Sequence, residues 1–224
     1  MKTVILDSVD STNLYAKRFS EDVIVIAREQ TAGRGTKDRS FSSERGGLYL
    51  TKVVHKKQFG AEELFRVMTD ATVAVCKTVE YFGANPFIKW PNDVLTGGKK
   101  LCGILIENTV SGNAITRSLV GIGLNINNSL PEELRTIATT LSEATGRKQD
   151  VDEVQARLIE NLQKNYPLET YREYLGFLSQ KVRLILPDEI KEGVAVDVDG
   201  QGRLLLRENG VVTAYAAGEV SLRL

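Results

Sequence analysis

The sequence predicts an α+β fold, in which a mixed β-sheet carries packed helices and a small β-barrel follows. Three observations predict this architecture. Short apolar runs alternate with helical patterns as far as about Asn128, two helical patterns then occupy residues 151–165 and 169–177, and glycine-punctuated strands follow Lys181. We expect the boundary near Ser179, so the predicted domains are residues 1–178 and 179–224.

The first domain is expected to begin with short strands at residues 4–6 and 23–27, the second of which is apolar enough to be buried on both faces. Between them Asp10 or Ser11 can cap a helix that begins near Thr12, because a short oxygen-bearing side chain satisfies free amides of the first turn. Apolar residues three and four apart between Leu64 and Phe82 predict a long amphipathic helix on the sheet. Further strands are expected at residues 87–90, 101–110 and 114–126, with a hairpin turn at residues 111–113.

The second domain is predicted from short strands at residues 182–186, 194–198, 204–207 and 211–216. Glycine-containing turns at residues 199–202 and 208–210 separate the later strands. A barrel of about 45 residues buries little surface by itself, so it needs a larger neighbour.

Charge and composition exclude several classes of protein. Lys and Arg number 29, as do Asp and Glu, which excludes the basic surface of a protein that coats nucleic acid and excludes a disordered acidic chain. The two cysteines, Cys76 and Cys102, lie in apolar surroundings and are too few for a disulfide framework, so a cytoplasmic location is predicted. Asp7 argues against a signal peptide, and no apolar run approaches the roughly 20 residues that cross a membrane.

The most unusual segment is the loop at residues 30–39, which follows a strand expected to be buried. Gly33 and Gly35 permit a concave backbone whose amides face an anion, and Arg34, Lys37 and Arg39 add the positive charge that phosphates require. The spacing differs from both the P-loop and the dinucleotide-binding fingerprint. Taken alone, this loop is equally compatible with a mobile surface turn.

Two further polar segments accompany the expected strands. Residues 89–94 read Lys-Trp-Pro-Asn-Asp-Val, whose polar heads either line a cavity or, as this segment alone favours, form a turn with Trp90 in the core. Lys100 enters a strand from a glycine turn, where its ammonium can face a carboxylate or phosphate. Lysines beside a glycine turn are more often solvated.

Glycines within the expected strands indicate a close approach by another group. Gly103, Gly121 and Gly123 destabilise a strand unless something lies near the backbone, and two glycines on one face leave a flat slot for a ring. His55 is the only histidine and is expected to be exposed, so a histidine-dependent nucleophile is disfavoured. The Cys and His residues do not have zinc-site spacing.

In this order, these segments resemble the biotin protein ligase family. The matching segments span almost the whole chain and are residues 10–13, 30–35, 47–51, 89–94, 100–104, 121–125 and 218–223. The resemblance implies activation of biotin by MgATP to biotinyl-5′-AMP, with release of pyrophosphate, and then transfer of biotin to a lysine of a biotin carboxyl carrier protein of acetyl-CoA carboxylase. It also implies an SH3-like C-terminal barrel.

The resemblance implies roles for individual residues. The catalytic residues would be Lys100, Arg34 and Asp93, with Asp93 holding magnesium or orienting Lys100. The biotin-binding residues would be Ser11, Thr12, Asn13, Gln30, Gly33, Arg34, Tyr49, Thr51, Lys100 and Gly103. The nucleotide-binding residues would be Arg34, Lys37, Arg39, Phe41, Lys89, Trp90, Asn92, Asn125 and Arg223. Gly121 and Gly123, with Gly103, would leave room for the ligand between strands.

The chain departs from the family pattern at two positions. Thr36 stands where arginine is common, and Phe41 stands where tryptophan is common but can still act as an apolar lid. Threonine lacks the charge and the donors of arginine, so we expect looser retention of the adenylate unless Lys37 substitutes. Only ten residues precede Ser11, so no DNA-binding module is expected. The sequence is compatible with a homodimer formed through a sheet edge but does not establish one.

Two alternative functions are considered beside the biotin ligase. A lipoate or octanoyl ligase is disfavoured because the loop at residues 30–39 lacks the triple glycine and the histidine typical of those enzymes. A non-catalytic biotin-binding sensor or adaptor is disfavoured because Lys100 and the arginine-bearing loop occur together.

Overall fold

The computed structural model describes residues 1–36, 39–186, 189–216 and 221–223. The larger of its two sheets contains β1 (Lys2–Leu6), β2 (Val23–Ala27), β3 (Leu48–His55), β4 (Pro86–Lys89), β5 (Asp93–Thr96), β6 (Lys99–Ser111) and β7 (Ala114–Leu124). The strands lie in the order β1-β2-β3-β7-β6-β5-β4, with β1 and β2 parallel and the other neighbours antiparallel. The predicted mixed sheet is confirmed.

The helices are α1 (Thr12–Ala16), α2 (Ala61–Tyr81), α3 (Leu141–Thr145), α4 (Val151–Asn161) and α5 (Leu168–Glu173). The long helix α2 is the amphipathic helix that the sequence predicts. At its start the Glu63 carboxylate accepts a hydrogen bond of 2.9 Å from the Gly60 N–H, which satisfies a donor that the helix leaves free. It ends at Tyr81, and Gly83 then takes a positive φ of 97° that suits glycine.

The alternation of side chains along β6 and β7 gives the larger sheet two different faces. Ile104, Ile122 and Leu124 belong to the main apolar core, which includes one face of α2. Gly103 and Gly123, which pair with each other across the two strands, face away from that core. The face without the α2 core is therefore the one available for a ligand.

The C-terminal sheet contains β8 (Lys181–Ile185), β9 (Ile190–Val198), β10 (Leu204–Glu208), β11 (Val211–Tyr215) and β12 (Ser221–Arg223). All neighbours are antiparallel, in the order β11-β10-β9-β8-β12. The first four strands overlap those predicted, although β9 begins at Ile190 rather than at Val194, and β12 was not predicted. In the described residues β11 and β12 do not pair, because the three-residue β12 pairs with β8 instead, so the predicted barrel is an open sheet here.

The contacts that join the C-terminal sheet to the rest of the molecule include a hydrogen bond, an apolar contact and an ion pair. The buried Trp90 indole donates a hydrogen bond of 3.1 Å to the Gly202 carbonyl oxygen. The Phe65 ring lies where a side chain at position 202 would be, which explains the glycine there. Arg172 Nε donates to Asp197 Oδ1 at 2.7 Å. The segment at residues 89–94 is thereby connected to the C-terminal sheet.

Several local features differ from the sequence predictions. Strand β5 and helix α3 were not predicted, and α5 ends at Glu173 although its pattern predicted a helix to residue 177. Cys76 and Cys102 are free and buried, in keeping with the prediction that they form no disulfide framework. Within the described ranges, none of the helices has both the length and the apolar character needed to span a bilayer.

Candidate active site

A pocket lies on the ligand-accessible face of the larger sheet, between α1, the loop after β2, and strands β5 to β7. Its open volume is about 40 Å³, well below the roughly 300–1,000 Å³ of typical small-molecule sites. Its lining residues are Ser11, Thr12, Asn13, Gln30, Arg34, Gly35, Thr36, Phe41, Asn92, Asp93, Lys100, Gly103, Ile104, Leu105, Gly121, Ile122 and Gly123. The pocket thus brings together more than half of the predicted site residues.

One end of the pocket is closed by a network of polar side chains. The Thr12 N–H and hydroxyl lie 2.8 and 3.0 Å from Gln30 Oε1, and Gln30 Nε2 donates to Ser43 Oγ at 2.9 Å. Thr51 Oγ1 lies 2.9 Å from Thr12 Oγ1 and 2.6 Å from Asn13 Oδ1. Thr12, Asn13 and Thr51 are buried, so these groups form a rigid polar end that can recognise a small hydrogen-bonding ring.

The loop after β2 folds back on itself beside this polar end. The Phe41 N–H donates to the Gly33 carbonyl at 2.9 Å, and the Gly35 N–H donates to the Arg39 carbonyl at 2.6 Å. A Cβ at position 33 would collide with the Phe41 carbonyl oxygen, which explains the first glycine. The Arg39 guanidinium donates to the Thr36 carbonyl at 3.2 Å and to its hydroxyl at 3.1 Å, so these two side chains form one unit.

The slot predicted beside the strand glycines is filled by side chains of the chain itself. A Cβ at Gly123 would lie 2.5 Å from Phe41 Cε1, and one at Gly103 would lie 3.1 Å from Phe41 Cε2. A Cβ at Gly121 would collide with the Asn13 amide. The glycines therefore admit the Phe41 ring and Asn13, and these two groups form part of the surface that a ligand meets.

Lys100 is held rigidly at the start of β6. Its backbone N–H donates to the Ile137 carbonyl at 2.9 Å, and its carbonyl accepts from the Thr139 N–H at 3.0 Å. Its ammonium lies 2.7 Å from Asp93 Oδ1 and 5.9 Å from the centroid of the Phe41 ring. The structure therefore pairs two of the predicted catalytic residues, because β5 and β6 are neighbouring antiparallel strands.

Arg34, the second predicted cation, is paired with a carboxylate that the sequence analysis did not include. Arg34 NH1 lies 3.4 Å from Glu107 Oε1, Lys17 Nζ lies 3.2 Å from the same oxygen, and Asn13 Nδ2 donates to Oε2 at 2.8 Å. Burial raises the pKa of Glu107, but the hydrogen bonds from Asn13 and Lys17 and the two positive charges outweigh burial and lower it. The sequence signal that could have identified Glu107 is the alternation of side chains along a strand, which places Gly103, Leu105 and Glu107 on one face of β6.

Several predicted residues, among them Tyr49, Asn125 and Trp90, lie in the protein interior rather than in the pocket lining. The buried Tyr49 hydroxyl donates to the Glu44 carbonyl at 2.6 Å. The buried Asn125 amide donates to the Thr139 carbonyl at 3.3 Å, and its oxygen accepts from another amide, that of Asn128. Trp90 is buried against the C-terminal sheet through its bond to Gly202. These residues support the walls of the site in this structure.

The remaining predicted nucleotide-binding residues lie in several different parts of the molecule. Asn92 lines the pocket and donates to the Ile104 carbonyl at 2.5 Å. Lys89 lies at the end of β4, opposite Asp93 in the register of β4 and β5. The backbone of Arg223 pairs with Arg183 in the C-terminal sheet. Lys37 lies outside the described residues, as do residues 218–220 of the last matching segment.

The pocket offers few ligands for a metal ion. Over the part of the chain that the structure describes, His, Cys, Asp and Glu side chains do not form a metal-binding group of three or more. Asp93 is the single carboxylate among the described lining residues, and its Oδ1 is paired with Lys100. Mg²⁺ usually keeps several waters and takes one or two carboxylates together with substrate phosphates, so this donor set fits an ion that arrives with a nucleotide.

Two protein-family profiles match the chain. Residues 5–125 match the biotin/lipoate A/B protein ligase family, and residues 177–223 match the biotin protein ligase C-terminal domain. The chain is 32% identical to the bifunctional ligase/repressor BirA of Bacillus subtilis, over 95% of this chain and 71% of that protein. It is also 32% identical to the biotin–[acetyl-CoA-carboxylase] ligase of Mycobacterium tuberculosis, over 89% of this chain and 79% of that protein.

A solved structure gives the same result at the level of the fold. The biotin protein ligase from Aquifex aeolicus, in complex with biotin and ATP, has a TM-score of 0.83 and 30% sequence identity to this chain. The match covers 99% of this chain and 98% of that one.

Proposed function

The chain belongs to the biotin/lipoate A/B protein ligase family, and we propose that its pocket activates biotin with MgATP and passes the biotinyl group to a carrier protein. The observation that carries this proposal is the placement of Lys100 and Arg34 on two walls of one pocket that ends in a rigid polar network. A ligand that enters this pocket with its polar ring first would place the carboxylate at its other end between the two cations.

We place the ureido ring of biotin at the polar end. Ser11, Thr12, Asn13 and Gln30 line this end, and the hydroxyls and amides of these residues offer both donors and acceptors to a urea. Behind them, buried residues hold the lining in place, and these are Gly33, Tyr49 and Thr51. Gly103 and Lys100 then lie along the side of the pocket towards the carboxylate.

In the first step an oxygen of the biotin carboxylate attacks the α-phosphorus of ATP, and the bond from that phosphorus to the bridging oxygen of pyrophosphate breaks. Two unit charges about 4 Å apart near a protein surface repel by about 4 kcal/mol, so the two anions do not approach without cations. Lys100 and Arg34 supply positive charge at this point. The chemistry then needs positioning and charge stabilisation but no enzyme nucleophile.

The nucleotide is proposed to lie beside Phe41, Asn92 and the Thr36–Arg39 unit, which border the open side of the pocket. Magnesium would accompany the phosphates and take Asp93 as a ligand, and its charge would withdraw electron density from the phosphates. Asp93 also orients Lys100 through the 2.7 Å ion pair. Lys37, Lys89, Trp90, Asn125 and Arg223 remain predicted nucleotide-binding residues.

In the second step the amine of a carrier-protein lysine attacks the biotinyl carbonyl carbon, AMP leaves, and the amine loses a proton. A biotin carboxyl carrier protein of acetyl-CoA carboxylase is the proposed partner, in the cytoplasm, where free cysteines such as Cys76 and Cys102 persist. We assign the chemistry to residues 1–178 and a supporting role to residues 179–224. A homodimer through a sheet edge is part of the same proposal.

The test is to incubate the protein with ATP and either biotin or lipoate, and to measure pyrophosphate release. We expect release with biotin only. Release with lipoate only would assign the protein to the lipoate ligases of the same family, and binding of biotin without pyrophosphate release would indicate a sensor.

A further inference from the structure

Glu107 lies outside the set of residues that lines the pocket, yet it contacts both the polar end, through Asn13, and the loop cation Arg34. Its two oxygens take different partners: Oε2 accepts from Asn13 Nδ2 at 2.8 Å, and Oε1 lies 3.2 Å from Lys17 Nζ and 3.4 Å from Arg34 NH1. Asn13 and Lys17 are four residues apart on α1 and its C-terminal end, so both reach the same carboxylate. Glu107 therefore joins α1 to β6 at the edge of the pocket.

We infer that Glu107 is a positioning residue for ligand recognition, because its carboxylate fixes which way the Asn13 amide points. This inference rests on the proposed function, since it assumes that Asn13 belongs to the biotin site. Glu107 itself does not contact the reacting atoms.

The hydrogen-bonding capacity of each group determines the orientation. An ionised carboxylate only accepts hydrogen bonds, so the Asn13 nitrogen faces Glu107 and the Asn13 oxygen faces Thr51 and the backbone at Gly121. The Thr51 hydroxyl has one hydrogen to donate, and Asn13 Oδ1 at 2.6 Å is the acceptor that has no hydrogen of its own. The Thr51 hydroxyl therefore does not donate to Thr12 Oγ1, which lies 2.9 Å away. The Glu107 carboxylate thus determines which groups donate and which accept along the chain of hydrogen bonds from Asn13 to Thr51 and Thr12.

A glutamine at position 107 has the same size but cannot do this. Its single oxygen cannot serve Asn13 on one side and the two cations on the other, and its NH₂ group can face the Asn13 oxygen instead. The Asn13 amide would then turn over in part of the population, and the Thr51 hydroxyl would meet an NH₂ group. Loss of one hydrogen bond to a charged group lowers affinity about tenfold or more.

The experiment measures the Kd of biotin by calorimetry, without ATP, for the native protein, Glu107→Gln, Asn13→Ala and the double variant. We expect Glu107→Gln to weaken biotin binding about tenfold and the double variant to bind no more weakly than Asn13→Ala. The matched control is Glu192→Gln, which removes the same charge from an exposed ion pair with Arg183 in the C-terminal sheet and should leave the Kd unchanged. Thermal unfolding reports the fold of each variant.

A swapped pair provides the second variant. Asn13→Asp with Glu107→Gln keeps one amide, one carboxylate and their hydrogen bond, and it keeps an acceptor towards Thr51. We expect the swapped pair to bind biotin more tightly than Asn13→Asp alone, in which two carboxylates lie face to face. Native affinity in Glu107→Gln, additive losses in the double variant, or no rescue by the swap would each overturn the inference. If the native protein binds no biotin, the proposed function fails instead.

Discussion

The two cations of the pocket have supports of different rigidity. Lys100 lies on β6, its backbone is bonded to residues 137 and 139, and its ammonium is 2.7 Å from Asp93. Arg34 lies on a loop, and its guanidinium is 3.4 Å from Glu107, a carboxylate shared with Lys17. The sheet therefore provides a fixed positive charge, whereas the loop provides a guanidinium whose longer contact with a shared carboxylate an arriving anion can replace.

The largest effect is expected from removing the fixed charge. Lys100→Ala should lower the rate of adenylate formation by roughly 100-fold to 1,000-fold, because a preorganised donor at a developing charge is lost. Pyrophosphate release measures this rate, and thermal unfolding should show an intact fold. Lys99→Ala is the control, since the neighbouring Lys99 ammonium bonds to the Arg135 carbonyl at 2.7 Å instead. Loss of activity in both variants would remove the distinction between these lysines.

Arg34→Lys keeps the charge of the loop cation but loses its fork of donors. We expect kcat/KM for biotin and ATP to fall about tenfold to 100-fold, because a charge-assisted hydrogen bond to the substrate is lost. Steady-state kinetics would show it. The control is Arg18→Lys, because the exposed Arg18 guanidinium lies 4.6 Å from the Tyr15 ring and not in the pocket. Native kinetics for Arg34→Lys would mean that the arginine acts only through its charge.

Gly123→Ala tests the contact between the sheet wall and the loop wall. The new methyl group would lie 2.5 Å from Phe41 Cε1, so the ring must move, and unfolding free energy should fall by about 1–3 kcal/mol. Urea denaturation measures the change. Phe41→Ala in the same chain should recover most of the loss caused by Gly123→Ala, and strictly additive losses would show that Phe41 does not occupy this slot.

The smallest effect concerns Thr36, which stands where the family commonly has arginine. Thr36→Arg should slow dissociation of biotinyl-AMP about tenfold, because it adds a charged donor to the loop, although it removes the hydroxyl that now accepts from Arg39. The measurement is the rate at which the adenylate is released after a single turnover. Equal release rates in the native and variant proteins would mean that Arg39 or Lys37 already provides the charge.

Much of the fold was predictable because it depends on local patterns. The apolar period of α2, the doubly buried β2 and the Gly-containing hairpin between β6 and β7 are all visible in the sequence. Strand β5 was not, because Asp93 and its neighbours follow a proline and have turn chemistry, and their strand conformation depends on pairing with β4 and β6. The open edge of the C-terminal sheet likewise depends on non-local pairing.

The site was predictable in its residue types but not in all its contacts. Motifs identified Lys100, Arg34 and the polar end, and the structure brings them together. The sequence could not show that Phe41 fills the space beside Gly103 and Gly123, since the loop and the strands are far apart in the chain. Glu107 was missed for a related reason, because a glutamate in a strand is usually solvated and its three partners come from other segments.

The hydrogen bond between the Trp90 indole and the Gly202 carbonyl has a consequence for the exchange of modules between relatives. A chimera that took its C-terminal sheet from another ligase would have to bring a carbonyl oxygen to this position and leave space for Phe65. Without that match a buried N–H would lose its partner directly beneath the segment that carries Asn92 and Asp93, at a cost of about 1–3 kcal/mol. The two sheets should therefore be inherited together, and a graft should carry residues 65 and 90 along with the C-terminal sheet.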